Sequence, residues 1–381
     1  MSDFVPIRHA VHVLPEGALA EKLKLGRPLR VKLGIDPTSP DVHIGFAVVL
    51  DRLREWQDAG HTVVLIVGDY TARIGDPSGR SAERPVLDDA ELDRNAQLFR
   101  EQIVRILDPE RTEFRFNGEW LAPLTFAETV RLTRTLTVAR LLERDDFAKR
   151  FSAGEPISLS ELLYPPMQAY DSVAIEADVE IGGTDQLYNL LAGRDVMPHY
   201  GLEPQVVVTY PLLVGLDGVE KMSKSRGNII GINDAPEEMF GKTMSIPDGA
   251  LPQWWDLVAG GGAHPDDPME WKLELARRIT ARWHGENGAR AGEEHFTRVV
   301  RHHEAPEQVE EARLEGPDPL HLPAFLASTL GESTSHWRRT IDQGGVKLDG
   351  QAVSGYDHPW AELDGAVLQA GKRRFLRLVR S

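Results

Sequence analysis

Two lysines lie three residues apart in a string of small and hydroxyl-bearing residues, Lys221-Met-Ser-Lys224-Ser. Asp217 and Gly218 come just before the string, which is typical of a mobile loop. Two ammonium groups on such a loop can close over a polyphosphate and neutralise the charge that grows on pyrophosphate when the α-phosphate is attacked. A solvated basic loop is the simpler interpretation, but a five-residue string of this kind seldom recurs by chance.

A second string with chemical potential lies far earlier in the chain and reads Asp36-Pro-Thr38-Ser-Pro-Asp-Val-His43-Ile-Gly45-Phe46. It ends where a helix is predicted to begin, and the first turn of a helix leaves N–H groups free for phosphate oxygens. His43 can donate to those oxygens, and Gly45 lets a nucleotide approach the backbone closely. The three residues His-Ile-Gly recur by chance, and alone they also fit a proline-rich turn.

A third feature is a polar stripe formed by Tyr164, Gln168 and Asp171. Their spacing of i, i+4 and i+7 predicts that they share one helix face, with Tyr164 at or just before the first turn. Burying this stripe costs free energy unless a polar ligand fills the space between the side chains. A ligand with both an ammonium and a hydroxyl group would do so, whereas an ordinary half-exposed helix is the alternative.

The elements around these residues predict an α/β sheet. Alternation over 29–35 and the β-branched run over 62–67 each predict a strand, and apolar spacing over 46–60 predicts a helix between them. Strand, helix and strand form a right-handed βαβ unit of a doubly wound parallel sheet. Because ligands bind at the carboxyl ends of such strands, the string over 36–46 is well sited for a nucleotide.

Further along the chain, apolar periodicity predicts helices over about 89–107 and 126–147 and another from about Pro166. Strands are predicted near 179–181 and over 205–209, the second of which is a buried-strand candidate.

The fold class expected is α/β, with three domains. A Rossmann-like, doubly wound catalytic domain is predicted over 1–235, with a helical insertion over about 120–175. A helical domain follows over 236–315, and a small α+β domain occupies 324–381. The acidic stretch over 304–323 holds four prolines and is predicted to be a linker.

Composition narrows the class of protein. Hydrophobic residues make up 41% of the chain and charged residues 27%, as in soluble globular proteins. No run approaches the ~20 apolar residues that cross a bilayer, and the start does not resemble a signal peptide, so we expect a cytoplasmic protein with no membrane partner. Since the chain has no cysteine and no HExxH pattern, no metal site of protein ligands is expected.

The charge is unevenly distributed. The net charge of −16 argues against a general nucleic-acid binder, and no DNA partner is expected. Residues 331–381 nevertheless hold eight basic and six acidic side chains, whereas the rest holds 35 basic and 53 acidic ones. The last stretch, 371–381, has five basic residues and no acid, which fits either a solvated tail or an RNA contact.

The first two strings together resemble the HIGH and KMSKS signatures of class I aminoacyl-tRNA synthetases, which form aminoacyl-adenylates in a Rossmann-type domain. The polar stripe, followed by Ile181-Gly-Gly183-Thr-Asp185-Gln186, narrows the resemblance to the tyrosyl-tRNA synthetases. Asp76 and its neighbours also resemble that family's GDPSG stretch. The string RVKLGIDPT, with Lys32 where many members carry a tyrosine, is similar to one branch of the family.

The resemblance implies a reaction and its partners. Tyrosine would be activated with ATP, accompanied by Mg²⁺, and transferred to tRNA(Tyr) by a homodimer that pairs through about 120–175. Asp171 would accept the phenol hydroxyl of the substrate, and Tyr164, Gln168 and Asp76 would surround its ammonium group. The implied roles are tyrosine binding by Asp171, Tyr164, Gln168, Asp76, Gln186, Thr71 and Asn117; ATP or adenylate binding by Asp36, Gly45, Phe46, Gly183, Asp185, Arg80 and Arg84; and catalysis by His43, Thr38, Lys221 and Lys224.

The end of the chain resembles a second known element. Residues 333–350 are similar to the alpha-L RNA-binding motif, whose short helix brings arginines near phosphates. The resemblance implies tRNA contacts from Arg338 and Arg339, extended by the basic run Lys372, Arg373 and Arg374. A generic small α+β domain is the alternative.

Two other functions stay open. The tryptophanyl-tRNA synthetases share the fold, but Asp171 together with the IGGxDQ string favours tyrosine. A non-catalytic, RNA-binding relative is supported by Phe46, which stands where a second histidine is usual and cannot donate a hydrogen bond. Against it, both Lys221 and Lys224 are present.

Overall fold

The computed structural model describes residues 5–38, 40–76, 88–301, 309–371 and 374–380. Its strands, in chain order, are β1 (His12–Leu14), β2 (Arg30–Ile35), β3 (Thr62–Val67), β4 (Thr112–Phe116), β5 (Val179–Gly183), β6 (Val206–Tyr210), β7 (Glu310–Arg313), β8 (Leu320–His321), β9 (Val346–Leu348), β10 (Gln351–Ala352), β11 (Asp357–His358), β12 (Val367–Ala370) and β13 (Arg374–Val379).

The α-helices of the same residues, again in chain order, are α1 (Ala18–Leu23), α2 (Ile44–Asp58), α3 (Asp89–Ile103), α4 (Gly118–Leu121), α5 (Phe126–Thr133), α6 (Val138–Leu141), α7 (Asp145–Ala153), α8 (Leu159–Ala174), α9 (Leu187–Val196), α10 (Pro236–Met244), α11 (Leu251–Leu257), α12 (Pro268–Phe296), α13 (Leu322–Leu330), α14 (Thr334–Asp342) and α15 (Trp360–Leu363). In α12 the backbone leaves helical geometry at Gly285, where φ is 71°.

The chain divides into two compact units. The first comprises residues 1–234 and 245–268, and the second comprises 235–244 and 269–381. The division into three domains, made from the sequence, stays a prediction.

The first unit is built on a six-stranded sheet with the order β1-β6-β5-β2-β3-β4. All its neighbouring strands run parallel except the pair of β1 and β6. The chain proceeds from β2 outward through β3 to β4 and then restarts beside β2 with β5 and β6. The strand order therefore reverses between β2 and β5, as in a doubly wound sheet, and the predicted α/β fold class is confirmed.

The hydrophobic pattern explains this sheet. β3 is TVVLIV, and five of its six side chains are buried, as expected of a central strand covered on both faces. Helix α2 buries Leu50, Leu53 and Trp56 completely. The predicted strands at 62–67 and 29–35 and the helix between them are thus confirmed to within two residues.

The helix predicted over 126–147 is wrong. The structure has three short helices there, α5, α6 and α7, and two of them begin at their own capping threonine. Thr125 accepts a hydrogen bond from Glu128 N–H and Thr137 accepts one from Arg140 N–H. Because a capping side chain replaces a helical hydrogen bond, each of these threonines starts a new helix.

The beginning of α8 also differs from the prediction. The helix begins at Leu159, not near Pro166, and both Pro165 and Pro166 lie inside it. Ser158 and Glu161 form a reciprocal capping box at its start, and Glu161 is further held by the Arg150 guanidinium at 2.5 Å. Tyr164 consequently lies in the second turn of the helix.

The second unit contains a five-stranded sheet with the order β10-β9-β12-β13-β7. Its core includes Leu326, Trp337, Ile341, Leu368 and Leu378, each at most 3% exposed. Strand β7 pairs parallel with β13. The linker prediction is therefore wrong for β7, because those residues belong to a sheet.

No helix among the described residues is both long and apolar enough to span a membrane.

Candidate active site

Predicted site residues of the first unit follow the carboxyl ends of several parallel strands, including β2 and β5, between which the strand order reverses. Asp36 directly follows β2, and the turn Thr184–Gln186 directly follows β5. This is the position at which doubly wound sheets bind their ligands. Helix α8 contributes the polar stripe, whose three members are each at most 9% exposed.

One end of the site is formed by Asp171, which is 3% exposed. Its Oδ1 accepts a hydrogen bond of 2.8 Å from Trp120 Nε1, and its Oδ2 accepts one of 3.4 Å from Asn117 Nδ2. Burial raises the pKa of this carboxyl group to about 6, although the positive charge of Lys32 and the two hydrogen bonds lower it. Above that pH the group is an ionised acceptor suited to a hydroxyl donor.

A chain of hydrogen bonds runs from there to Asp36. Asn117 Nδ2 donates to Thr71 Oγ1 at 3.0 Å, and Thr71 Oγ1 donates to Asp36 Oδ1 at 2.7 Å. The Tyr164 hydroxyl donates to the other oxygen, Asp36 Oδ2, at 3.0 Å. Burial and the nearby Asp36 charge raise the pKa of Tyr164 well above its usual value, so the phenol stays neutral. Its oxygen therefore keeps lone pairs that can accept from an ammonium group.

A third acidic group, Asp76, lies beside the first turn after β5. It accepts a hydrogen bond of 2.7 Å from Gln186 Nε2, while Arg144 Nη2 lies 3.5 Å from its other oxygen. Gln186 is itself held by Asn189 Nδ2, which donates to its Oε1 at 3.0 Å. The carboxylate of Asp76 is thus fixed from two sides.

His43 caps the N-terminus of α2. Its Nδ1 accepts a hydrogen bond of 3.2 Å from Phe46 N–H, so Nδ1 carries no proton. Burial, with the charge of Lys224, lowers the pKa of His43 to about 4. The ring is consequently neutral near pH 7, and its remaining proton is on Nε2, which can donate to a phosphate oxygen.

Phe46, at the position where the resemblance implies a second histidine, is part of an aromatic cluster. Its ring meets Phe99 edge-on at 5.5 Å and lies 6.0 Å from the ring of His43. Next to it, Gly45 N–H contacts Met222 Sδ at 3.2 Å. A Cβ at Gly45 would lie 3.2 Å from the Met222 Cβ, so glycine permits the 221–225 loop to pack closely here.

Both lysines of the 221–225 loop are bound to acids. Lys221 Nζ lies 2.7 Å from Asp185 Oδ2, and Lys224 Nζ is paired with Asp41. The two lysine side chains are 42% and 28% exposed. Since exposed ion pairs contribute only ~0–1 kcal/mol, an incoming phosphate can take over either ammonium group.

The remaining predicted residues of this site are Thr38, Gly183, Arg80 and Arg84. Thr38 lies in a bend and its N–H donates to Asp36 C=O at 2.8 Å. A Cβ at Gly183 would lie 2.6 Å from Leu212 Cδ2, so a larger residue there would require the Leu212 side chain to move. Arg80 and Arg84 lie outside the described residues.

The predicted RNA-binding residues lie in the second unit. Arg338 and Arg339 are exposed on α14, and the Arg338 guanidinium lies 5.5 Å from the Tyr356 ring centroid. Arg374 Nη1 donates to Leu330 C=O at 3.1 Å. Lys372 and Arg373 lie outside the described residues.

Several polar contacts of the site were not predicted from the sequence. Trp120 binds Asp171, Arg144 approaches Asp76, and Lys32, singled out only for standing where many family members carry a tyrosine, is paired with Glu180. For Trp120 the sequence contained a local signal, since it follows Asn117 by three residues in a helical stretch.

No group of three or more potential metal ligands is found among the described residues.

Comparison with known proteins agrees with this geometry. Residues 24–300 match the family model described as tRNA synthetases class I (W and Y). The chain belongs to this family of class I tRNA synthetases.

Within the family, the chain falls with the tyrosine–tRNA ligases. It is 48% identical to the tyrosine–tRNA ligase of Moorella thermoacetica, covering 97% of this chain and 94% of that protein. It is also 48% identical to that of Thermotoga maritima, covering 97% and 95%. The predictions of family and enzyme class are thus confirmed, and neither the tryptophanyl nor the non-catalytic alternative is favoured.

Solved structures show the same fold. The tyrosyl-tRNA synthetase of Archaeoglobus fulgidus, solved with L-tyrosine, matches with a TM-score of 0.62 at 23% identity, over 76% of this chain and 97% of that one. The truncated mitochondrial enzyme of Aspergillus nidulans matches with a TM-score of 0.63 at 20% identity, over 77% and 92%.

Proposed function

We propose that the chain activates L-tyrosine with ATP and transfers it to the 3′ end of tRNA(Tyr). The observation that carries this proposal is the continuous polar chain from Asp171 through Asn117 and Thr71 to Asp36 and Tyr164, at the strand ends where a nucleotide binds. It offers an acceptor for a hydroxyl at one end and acceptors for an ammonium group further along.

In the first step, a carboxylate oxygen of tyrosine forms a bond to the α-phosphorus of ATP. The bond from that phosphorus to the bridging oxygen of pyrophosphate breaks, and pyrophosphate leaves. In the second step, a hydroxyl oxygen of the terminal ribose of the tRNA forms a bond to the carbonyl carbon of tyrosyl-adenylate. The bond from that carbon to the phosphate oxygen breaks, and AMP leaves together with the proton of the hydroxyl. Neither step changes the charge of a protein group permanently, so the main task of the site is to stabilise the negative charge that develops on the phosphate groups.

The amino-acid subsite recognises both ends of tyrosine. Asp171 accepts the phenol hydroxyl, and Thr71 and Asn117 complete that end. Asp76, Tyr164 and Gln168 surround the ammonium group, while Gln186 lies near the carboxylate.

The nucleotide subsite lies across the attacked phosphate from the amino-acid subsite. His43 donates from Nε2 to a phosphate oxygen, and Thr38, in the bend after β2, assists it. Lys221 and Lys224 leave their acidic partners and bind the leaving pyrophosphate. Asp36 with Gly45 and Phe46, Gly183 with Asp185, and the arginines Arg80 and Arg84 make up the rest of the ATP or adenylate subsite.

The proposal includes a metal ion bound to the substrate and a cellular location. Mg²⁺ bound to ATP would supply positive charge to its phosphates. The enzyme works in the cytoplasm, where its tRNA is found.

Tyrosine-dependent exchange of pyrophosphate into ATP tests this function. We expect exchange with tyrosine and almost none with tryptophan or phenylalanine. Exchange that prefers tryptophan would favour the tryptophanyl alternative. Absence of exchange with every amino acid, in a protein that still binds RNA, would favour the non-catalytic one.

Replacing Lys224 with alanine is expected to slow adenylate formation by about 10²-fold while tyrosine binding changes little. The negative charge on pyrophosphate grows only as the bond breaks, so its partner acts mainly in the transition state. Single-turnover adenylation, measured beside equilibrium tyrosine binding, separates the two effects.

A matched control for that variant is Lys242→Ala. The side chain of Lys242 is 29% exposed and is paired with Glu238 on its own helix, much as Lys224 is 28% exposed and paired with an acid. Lys242→Ala should leave both measurements unchanged. Equal losses of adenylation and tyrosine binding in Lys224→Ala would mean that Lys224 is structural.

We also propose that two copies of the chain associate through the helices near 120–175. Phe126, Val138, Phe151 and Leu159 lie on this segment and are 84%, 60%, 65% and 76% exposed. Large apolar side chains exposed on neighbouring helices are typical of a surface that another protein covers.

The double variant Phe126→Glu with Leu159→Glu is expected to sediment as a monomer where the wild-type protein sediments as a dimer, because charges resist burial at an interface. Val219→Glu is the matched control, since Val219 is 80% exposed on another segment, and it should stay dimeric. A dimer that survives both substitutions would place the interface elsewhere.

A further inference from the structure

Lys32 and Glu180 form an ion pair in the core of the first unit. They are register partners in the parallel pair of β2 and β5, so their side chains lie on the same face of the sheet. Lys32 Nζ lies 2.9 Å from Glu180 Oε1, and the two side chains are 0% and 1% exposed. A charge pair so deeply buried costs free energy, which calls for a reason beyond stability.

The ammonium group of Lys32 has all its hydrogen-bond donors in use. Besides Glu180, it donates to Gln168 C=O at 3.0 Å and to Ser172 Oγ at 2.9 Å. An ammonium group has three N–H donors, so none is left for a substrate hydroxyl. Lys32 therefore acts on the site through α8, the helix that carries Gln168, Asp171 and Ser172.

Glu180 is equally engaged with α8. Its Oε1 accepts from Gln168 Nε2 at 3.3 Å, and its Oε2 accepts from Ser172 Oγ at 3.2 Å and from Gln205 Nε2. With its N–H group bound to Glu180, the Gln168 amide has its oxygen available for an ammonium group. The pair thus fixes Gln168 and Ser172, which precede and follow Asp171 on the helix.

Burial has the largest effect on the pKa of Asp171 and raises it, and the two charges of the pair modify that shift. The positive charge of Lys32 on β2 lowers the pKa of Asp171, and the negative charge of Glu180 on β5 raises it, with Lys32 the stronger of the two. The other polar groups that face Asp171 are Trp120 and Asn117, which lower its pKa, and Tyr164 on its own helix, which stays neutral.

We propose that Lys32 and Glu180 are positioning residues for amino-acid selection, which hold the part of α8 around Asp171 in place, with Lys32 favouring the ionised form of Asp171, so that Asp171 recognises the tyrosine hydroxyl without a contact from β2. This inference rests on the proposed role of Asp171. It assigns an indirect function to Lys32, which stands where many family members carry a tyrosine.

The test compares Lys32→Met, Glu180→Gln and their double variant in pyrophosphate exchange. For each, kcat/KM for tyrosine and for phenylalanine is measured from acidic to weakly basic pH. In the wild-type enzyme, kcat/KM for tyrosine should fall as the pH drops through about 6, where Asp171 gains its proton. Lys32→Met should move this fall to higher pH, and Glu180→Gln should move it to lower pH.

The size of the effect follows from the titration. At a pH below the pKa of a carboxyl group, each unit by which the pKa is raised lowers the ionised fraction ~10-fold. Because the wild-type pKa of Asp171 is about 6, this limit applies only in mild acid. For each unit by which the pKa rises, we therefore expect Lys32→Met to lose ~10-fold of the tyrosine-over-phenylalanine preference below about pH 6 and about 2-fold at neutral pH, and to recover the preference at higher pH. The double variant should shift in the same direction as Lys32→Met, by a smaller amount.

Glu161→Gln is the matched control. Glu161 also forms a buried ion pair on α8, with Arg150, but it lies at the start of the helix. This variant should lower the melting temperature and leave the pH profile and the preference unchanged. If Lys32→Met and Glu180→Gln behave in the same way as Glu161→Gln, the pair is merely structural and the inference is overturned.

Asp171→Asn separates this inference from the proposed function. If Asp171→Asn keeps the full preference for tyrosine, Asp171 does not recognise the hydroxyl, and the proposed function of that residue fails. If Asp171→Asn loses the preference but the pH profile responds to neither Lys32→Met nor Glu180→Gln, only the inference about the pair fails.

Discussion

Replacing Asp171 with alanine is expected to cripple tyrosine activation and to abolish most of the selection against phenylalanine. A site built to bind a hydroxyl rejects the analogue that lacks it by ~10⁴–10⁵-fold, because the buried polar group is then left unpaired. This magnitude is the one established for tyrosyl enzymes and is not a result of this structure. The kcat/KM ratio of the two amino acids in pyrophosphate exchange measures the loss.

The pH dependence of stability provides an independent check on the assignment of Asp171. The pKa of Asp171 is raised in the folded protein to about 6 from a usual 3.8, so the folded state binds the proton more tightly than the unfolded state. The free energy of unfolding therefore falls as the pH rises from about 4 to about 6, and the ionised group stays destabilising above that range.

Asp171→Asn removes that charge at nearly constant shape. Its single amide oxygen replaces only one of the two carboxylate oxygens that Trp120 and Asn117 bind, so one of these donors then faces an NH₂ group. The effect of the substitution on the melting temperature should therefore be more favourable at neutral pH than in strong acid, while selectivity is lost. An equal effect on the melting temperature at both pH values, or full rejection of phenylalanine, would contradict the assignment of Asp171.

The sequence was sufficient for the parts of the fold that depend on local pattern. The continuous apolar run of β3 and the amphipathic α2 have no competing interpretation, so both were predicted closely. The two prolines in α8 misled the prediction, because proline is commonest in the first turn of a helix. The capping box of Ser158 and Glu161 was present in the sequence and would have located the true start.

The site could be predicted only where its residues form strings. Tyr164, Gln168 and Asp171 share one helix, so their common face follows from spacing alone. Lys32 and Glu180 are far apart in the sequence and meet only because β5 pairs with β2. No local pattern specifies which strands are neighbours, so this buried pair, unlike the stripe, required the three-dimensional structure.

Removing the sheet of the second unit is expected to separate the two halves of the reaction. The proposed ATP and tyrosine contacts all lie between Asp36 and Lys224, whereas the basic excess lies after residue 330. An acidic body repels RNA, so the basic segment must supply much of the attraction for tRNA phosphates. Adenylate formation should stay nearly intact and tRNA charging should be abolished.

The structure determines where the chain must be cut. A deletion from residue 324 would leave β7 without β13, its partner in the sheet. A deletion that begins at Val309 removes the whole sheet together with its hydrophobic core, which runs from Ala312 to Leu378. The separate core of α10 and α12, which includes Phe240 and Phe296, remains. A thermal melt of the truncated protein checks that the rest still folds.

A double substitution tests the same idea in the full chain. Arg338→Ala with Arg339→Ala should weaken tRNA binding and make it less dependent on salt, by ~1 unit of the log–log slope for each phosphate that is no longer neutralised. As a control, Arg313→Ala, which removes an exposed arginine of β7 in the same sheet, should change neither quantity.

Two outcomes of the truncation would contradict this division of the reaction. Normal charging by the truncated enzyme, at low and at moderate salt, would show that the tRNA is held elsewhere. Loss of both half-reactions with a lowered melting temperature would show instead that the sheet stabilises the rest of the protein, since RNA binding plays no part in pyrophosphate exchange.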